Sequence, residues 1–226
     1  MLESPNYEIA TSICAILVLF VCYSVANVTC FLTLILGYSE AQMLSLGIEM
    51  THLWDDALDE YMKKENNEFG TNTDTRNKTE PTESEILNSF VKEHLVNIIN
   101  RHATTRNLLS EIEDILKGLN AIVFLLLITG LIGELLGGIE NTVIQIPFTM
   151  LQLGIDCYLS QKLIDSNEAF ERAVYACNWE MFNKSNRKIV LLILQNSQKT
   201  MALSAGGMAT LSFTCFMSII KTIKYK

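Results

Sequence analysis

Residues 9–37 read IATSICAILVLFVCYSVANVTCFLTLILG, 29 positions without a charged side chain. About 20 apolar residues cross the hydrocarbon of a bilayer, so this stretch spans with tilt or extends past one interface. Glu3 and Glu8 precede it and no basic residue does, so it reads as a spanning helix rather than a secretory leader. Further along, residues 119–139 (LNAIVFLLLITGLIGELLGGI) form a second expected span and Thr142 to Leu159 a shorter third. Residues 189–220 make the fourth, broken by the polar run QNSQK. Hydrophobic residues are 49% of the chain, and their concentration in these runs marks a polytopic membrane protein rather than a globular domain. The expected fold class is all-α, about four transmembrane helices with cytoplasmic helical extensions.

The placement of Lys and Arg orients these spans. Residues 60–118 hold Lys63, Lys64, Arg76, Lys78, Lys92, Arg101, Arg106 and Lys117, and residues 160–188 hold Lys162, Arg172, Lys184, Arg187 and Lys188. Residues 137–142 and the first eight hold none. Basic loops stay in the cytoplasm, which puts the amino terminus outside, the long loop 61–118 inside and the carboxyl terminus outside. Lys221, Lys224 and Lys226 oppose the last assignment unless they snorkel to the interface or sit near a pore mouth.

Between the spans, Leu44, Ile48, His52, Asp55 and Leu58 step at helical spacing, extending the first helix into the cytosol. The run KKENNEFGTNTDTRNKTEPTE is too polar to bury and is expected to be disordered. Ile86, Phe90, Leu95, Ile98 and Ile99, then Leu108, Leu109, Ile112, Ile115 and Leu116, restore an amphipathic helix that leads into the second span. The organisation is a first helix with its extension (1–60), a disordered loop (61–85), a cytoplasmic helix and second span (86–139), a third span with a cytoplasmic anchor (140–188), and a final pair of helices (189–226).

Chemistry is sparse. The chain has no phosphate-binding glycine loop, zinc-type His/Glu pair or nucleophile elbow, so neither an enzyme nor a cofactor, metal or nucleic-acid partner is expected. His94 and His102 lie eight apart and read as helix-packing residues, and the six cysteines lack metal or disulfide spacing. The sequons at Asn27, Asn77 and Asn183 fall in a span or on cytoplasmic loops. Asp156 and Glu134 lie near span ends, where an ionisable group faces protein, water or the interface. In the last span, MALSAGGMATLSFTCFMSII (201–220), a continuous helix would place Gly206, Thr210, Thr214 and Ser218 on one face. Close helix packing and a water-filled path both account for such a stripe.

Several spaced elements of the carboxyl-terminal half now agree. Ser166 and Glu168, Tyr175 with Cys177, Asn178 and Trp179, Arg187 and Lys188, Gln198 and Lys199, and Ser204 to Gly207 occur in the order seen in insect odorant receptors. The stretch IINRHATTRNLLSEIEDI, with Arg101 and His102, is similar to the segment before the fifth helix of that family. The chain therefore resembles helices four to seven of a seven-helix receptor, as expected of a partial sequence, an incomplete gene model or a decayed copy.

The resemblance implies a plasma-membrane subunit that binds small hydrophobic odorants and, in a hetero-tetramer with a co-receptor, forms an odorant-gated nonselective cation channel. A truncated nonfunctional fragment and a membrane scaffold without a pore are the alternatives. It further implies a pore lined from the final helix, for which the candidates are Gly206, Thr210, Thr214, Met217, Ser218, Ile219 and Lys221. An apolar odorant cavity in the outer half would draw on Ile16, Leu17, Phe20 and Val21 and on Phe148, Met150, Leu151 and Gln152. Tyr175, Trp179, Ile189, Leu192 and Ile193 are candidates for the subunit anchor.

Overall fold

The computed structural model describes residues 6–68, 83–136, 145–199, 201–207 and 209–224. Three long helices, α1 (Asn6–Glu68), α2 (Glu83–Leu136) and α3 (Gln145–Ala176), carry the architecture. A 3-10 turn at Trp179–Met181 leads to α4 (Lys184–Ser197), a two-stranded hairpin of β1 (Ser204–Ala205) and β2 (Ala209–Thr210), and α5 (Phe213–Lys224). With 63 residues, α1 runs roughly 95 Å at 1.5 Å per residue, three times the bilayer's hydrocarbon thickness. Most of it must therefore find partners outside lipid.

Those partners are α2 and α3, and the spacing of buried residues shows how they meet. On α1 the buried positions run Leu36, Ser39, Met43, Leu46, Met50, Leu53 and Ala57; on α2 they run Val91, Leu95, Ile98, His102, Thr105, Leu109 and Ile112. Steps of alternately three and four residues are the seam of helices packed side by side. On α3, Leu153, Cys157, Ser160, Leu163, Asn167, Phe170 and Val174 repeat the pattern. The extension of α1 is as read from the sequence, but its buried face is not. Leu44 and Ile48 are exposed and so are His52 and Asp55, because the competing seam is apolar from Met43 to Ala57 where the first stripe carries an imidazole and a carboxylate.

Two further readings are corrected. The expected loop 61–85 is helical at both ends, since α1 continues to Glu68 and α2 begins at Glu83; residues 69–82 and the sequon at Asn77 lie outside the described residues. More consequentially, residues 201–220 are not one helix. Gly206 and Gly207 adopt φ of 63° and 75°, a left-handed conformation that glycine takes without a steric cost and that ends a right-handed helix. The chain turns back on itself there, pairing Ser204 with Thr210 and Ala205 with Ala209. Gly206 and Thr210 therefore lie on the hairpin, and the four-residue stripe is reduced to Thr214 and Ser218.

The remaining α5 has 12 residues, about 18 Å of helix. Among the described residues, one helical stretch, Tyr23–Lys64 of α1, is long and apolar enough by itself to cross a bilayer.

Candidate functional site

α5 starts with a local cap. Ser212 Oγ accepts from the Cys215 N–H (3.3 Å) and the Ser212 carbonyl from the Phe216 N–H (3.0 Å), satisfying donors that a helix start leaves open. Gln161 on α3 adds a third acceptor, its Oε1 taking the Phe213 N–H at 3.3 Å. The helix then divides into two faces. Phe216 and Ile219 pack against the core, and the ring of Phe213 meets that of Tyr158 at 6.0 Å between centroids. Opposite, Thr214, Met217, Ser218 and Lys221 are exposed. The Ser218 hydroxyl donates to the Thr214 carbonyl (2.8 Å), a back-bond that supplies a hydroxyl with its acceptor inside the helix. Of the pore candidates, then, Thr214, Met217, Ser218 and Lys221 share one open face. Ile219 belongs to the packed one, and Gly206 and Thr210 sit on the hairpin.

The hairpin fastens α5 to the bundle. The Leu203 N–H donates to Ser160 Oγ (3.2 Å), the Leu211 N–H to the Leu203 carbonyl (2.9 Å), and Ser204 Oγ to Glu113 Oε1 on α2 (2.7 Å). Met201, Leu203, Ala205 and Leu211 are buried beneath it. Sequence reasoning missed Ser160 and Gln161. Their only signal was two polar residues just past the third apolar run, which is also how a solvated helix end reads.

Under the hairpin lies a cavity of about 30 Å³, lined on three helices by residues including Leu32, Asn120, Phe124 and Asp156. One water fills such a space and an odorant does not fit. Asn120 Nδ2 is buried there without a hydrogen-bond partner among the described residues. Asp156 faces protein rather than lipid, held by Gln152, whose Nε2 donates to Thr29 Oγ1 on α1 (2.6 Å) and approaches both Asp156 oxygens (3.4 Å). Gln152, an odorant-site candidate, thus ties α1 to α3. Just below, Lys162 bridges to Glu40 at 3.3 Å, a hydrogen bond that raises the lysine amine. The side chain of Glu134 lies outside the described residues.

Most of the other odorant candidates lie on the surface among the described residues. Ile16, Phe20, Phe148 and Leu151 are exposed over more than half of their surface, and Met150 is half-buried. The side chains of Leu17 and Val21 are outside the described residues.

The anchor candidates split. Ile193 is 2% exposed and belongs to the chain's own core, with Ile189 packed against that core, whereas Leu192 is exposed. Tyr175, at 72% exposure, and Trp179 instead border an open groove of about 260 Å³ with Val174, Arg187, Val190, Leu191 and Leu194. Leu191, exposed and apolar, was not among the sequence candidates. Arg187 fixes this corner by donating to the carbonyls of Phe182 (2.8 Å) and Glu180 (2.6 Å). Cys177 is buried alongside, and that burial pushes its thiol up to about 11, so it is inert filler.

The described residues contain no group of three or more His, Cys, Asp or Glu placed to hold a metal ion. Compared with known proteins, the chain is 25% identical over 83 residues to the odorant receptor coreceptor of Ooceraea biroi, a match covering 37% of this chain and 17% of that protein. The coreceptor of Harpegnathos saltator matches to the same extent. In three dimensions the chain resembles the insect olfactory receptor OR5 from Machilis hrabei, solved in complex with eugenol. The TM-score is 0.51 at 10% identity, covering 90% of this chain and 67% of that one, which supports the helical membrane fold. Residues 1–223 match the 7tm odorant receptor family, and the chain belongs to that family.

Proposed function

We propose that this chain serves as a subunit of an odorant-gated cation channel in the plasma membrane, assembled in a hetero-tetramer with a co-receptor and opened by small hydrophobic odorants. The observation that carries the reading is the two-faced α5. Phe216 and Ile219 hold it to the bundle, while Thr214, Met217, Ser218 and Lys221 stay open. Hydroxyls on a helix facing a shared axis hydrate passing ions, and the ring of Met217 side chains is suited to close the path by dewetting. Gly206 and Thr210, on the hairpin, stand at the inner mouth of this path, with Ile219 behind the wall. Lys221 stands toward the outer mouth, where co-receptor subunits dilute its charge.

The odorant site in this reading lies in the outer half. Ile16 and Phe20 on α1 and Phe148 and Leu151 on α3 supply apolar surface there. Burial of such surface at about 25 cal/mol per Å² contributes most of the affinity for a ligand with few polar groups. The groove at Tyr175, Trp179 and Leu191 is the subunit anchor, where aqueous apolar burial holds subunits together in a way lipid does not favour. The amino terminus is outside and the basic segments 61–118 and 160–188 are cytoplasmic.

Co-expression with a co-receptor and recording of odorant-evoked current tests this. Current that disappears with Thr214→Trp but persists with Ile189→Val supports it. Surface delivery of the complex without current under any odorant refutes it in favour of a pore-less scaffold or inactive fragment.

A further inference from the structure

We propose that the polar half of the bundle holds a second binding site, for a small soluble organic anion with a phosphate or carboxylate on an apolar body, in the cavity between α2 and α4. The site is independent of the odorant cavity. The cavity measures about 450 Å³, the size of a small-molecule pocket. Its single charge is Arg106, and no carboxylate lines it.

Arg106 is unusual in this chain. Acidic residues outnumber basic ones 25 to 17, and the neighbouring arginines are engaged: Arg101 with Glu49, Arg172 with Glu168, Arg187 with two carbonyls. Half-buried Arg106 has neither an ion pair nor a hydrogen bond among the described residues. A guanidinium drawn partly out of water with no ion-paired carboxylate, Glu113 of the adjoining cavity being bonded to Ser204 instead, favours an anion, which it grips with two parallel N–H groups.

One turn away on the same wall is His102, 5% exposed, its ring stacked on Phe170 at 5.0 Å and its Nε2 without a hydrogen-bond partner. Buried polar atoms are almost always paired, so the half-buried, unpaired guanidinium of Arg106 marks the place where a ligand's anionic end belongs, with the His102 ring, its Nε2 sealed from solvent, forming part of the wall. Asn107 and Ser110 are exposed at the rim and add donors, while buried Ile193 makes an apolar floor and exposed Leu192 an apolar edge. A polar rim over an apolar floor fits an amphiphilic molecule better than a bare ion.

The source follows from distance. Arg106 precedes Leu119, where the second span begins, by thirteen residues, about 20 Å of helix. The headgroup layer is only about 5–8 Å deep, so a bilayer lipid does not reach Arg106 and a soluble anion does. This last step alone rests on the proposed orientation of residues 61–118.

The test uses the full chain purified in detergent, with phenyl phosphate as probe and phenol and inorganic phosphate as its halves, read by titration calorimetry. Phenyl phosphate is expected to bind once per chain and more tightly than either half. Arg106→Gln is expected to weaken it about tenfold or more, the scale of a lost charge-assisted hydrogen bond, with no drop in unfolding temperature because Arg106 makes no hydrogen bond or ion pair among the described residues. Arg106→Lys keeps the charge and loses the fork, so severalfold weakening is expected. Independently of any variant, the ring resonances of His102, which lines the cavity, are expected to shift on titration. Absence of binding at millimolar phenyl phosphate, or equal affinity in Arg106→Gln, overturns the site. Displacement of phenyl phosphate by phosphatidic acid in nanodiscs overturns the soluble source.

Discussion

Gly154 on α3 leaves room for the ring of Phe216 on α5: a methyl group at Gly154 would meet Phe216 Cζ at 3.5 Å. That is ordinary van der Waals contact, so the fit has space for one carbon and no more. Gly154→Ala is expected to retain odorant-evoked current, whereas Gly154→Leu forces α5 off the bundle at a cost of about 1–3 kcal/mol. Paired measurement of current and unfolding temperature checks this. Equal behaviour of the two variants would show that α5 does not seat on α3 through this contact.

The division of α5 into faces is checked by thiol accessibility in the assembled channel. In a Cys30→Ser, Cys215→Ser background, Thr214→Cys, Met217→Cys and Ser218→Cys are expected to react with a charged methanethiosulfonate and change the current. Ile219→Cys, on the packed face, is expected to react at least about tenfold more slowly, since burial withholds the thiol from both water and ionisation. Uniform reactivity would remove the pore assignment.

A second set of contacts governs stability in the polar half. Asn88 Oδ1 accepts from the Asn183 N–H (2.8 Å) and from Asn186 Nδ2 (3.2 Å), joining α2 to the start of α4. Asn88→Ala leaves the Asn183 N–H without this acceptor and is expected to cost about 1–3 kcal/mol, seen as a lower unfolding temperature. Asn186 retains its bond to the Asn88 carbonyl (2.8 Å), so α4 should stay docked.

His102 makes stability depend on pH. Its burial, reinforced by Arg106, lowers it below the ordinary value of 6.5. The unfolded chain takes up a proton near that value which the folded chain refuses, so this contribution is complete above pH 6.5 and declines as the pH falls below it. The slope is at most about 1.4 kcal/mol per pH unit for one group. His102→Phe keeps a ring against Phe170 and is expected to flatten the difference between pH 7.5 and 5.5 in thermal unfolding. An unchanged slope would place the proton elsewhere.

How much of this was legible in the residues varies by element. The all-helical class and the first apolar helix were, because hydropathy is a sum over neighbours and needs no partner. The continuation of α1 past residue 37 as one helix was too, since helical periodicity is local. The seam through Met43, Leu46, Met50 and Leu53 was not, because Leu44 and Ile48 offer a competing stripe, and the choice depends on what α3 presents. The roles of Gln152 and Ser160 were equally hidden, as each is set by a partner on another element, Thr29 or Leu203, far away in the chain.

The last span shows the division most clearly. Its sequence alone determined that residues 201–220 are apolar enough for lipid, that Gly206 and Gly207 are adjacent, and that Thr214 and Ser218 lie one helical turn apart. Only the tertiary structure decided that the glycines turn the chain back and that the helix starts at Phe213 with Thr214 and Ser218 left open. Apolar content measures what a segment prefers as solvent and is blind to backbone dihedrals. The turn is closed locally by the Gly207 N–H donating to Ser204 Oγ, while the residues flanking it are docked by bonds to Ser160, Gln161 and Glu113, none of which belongs to the segment itself.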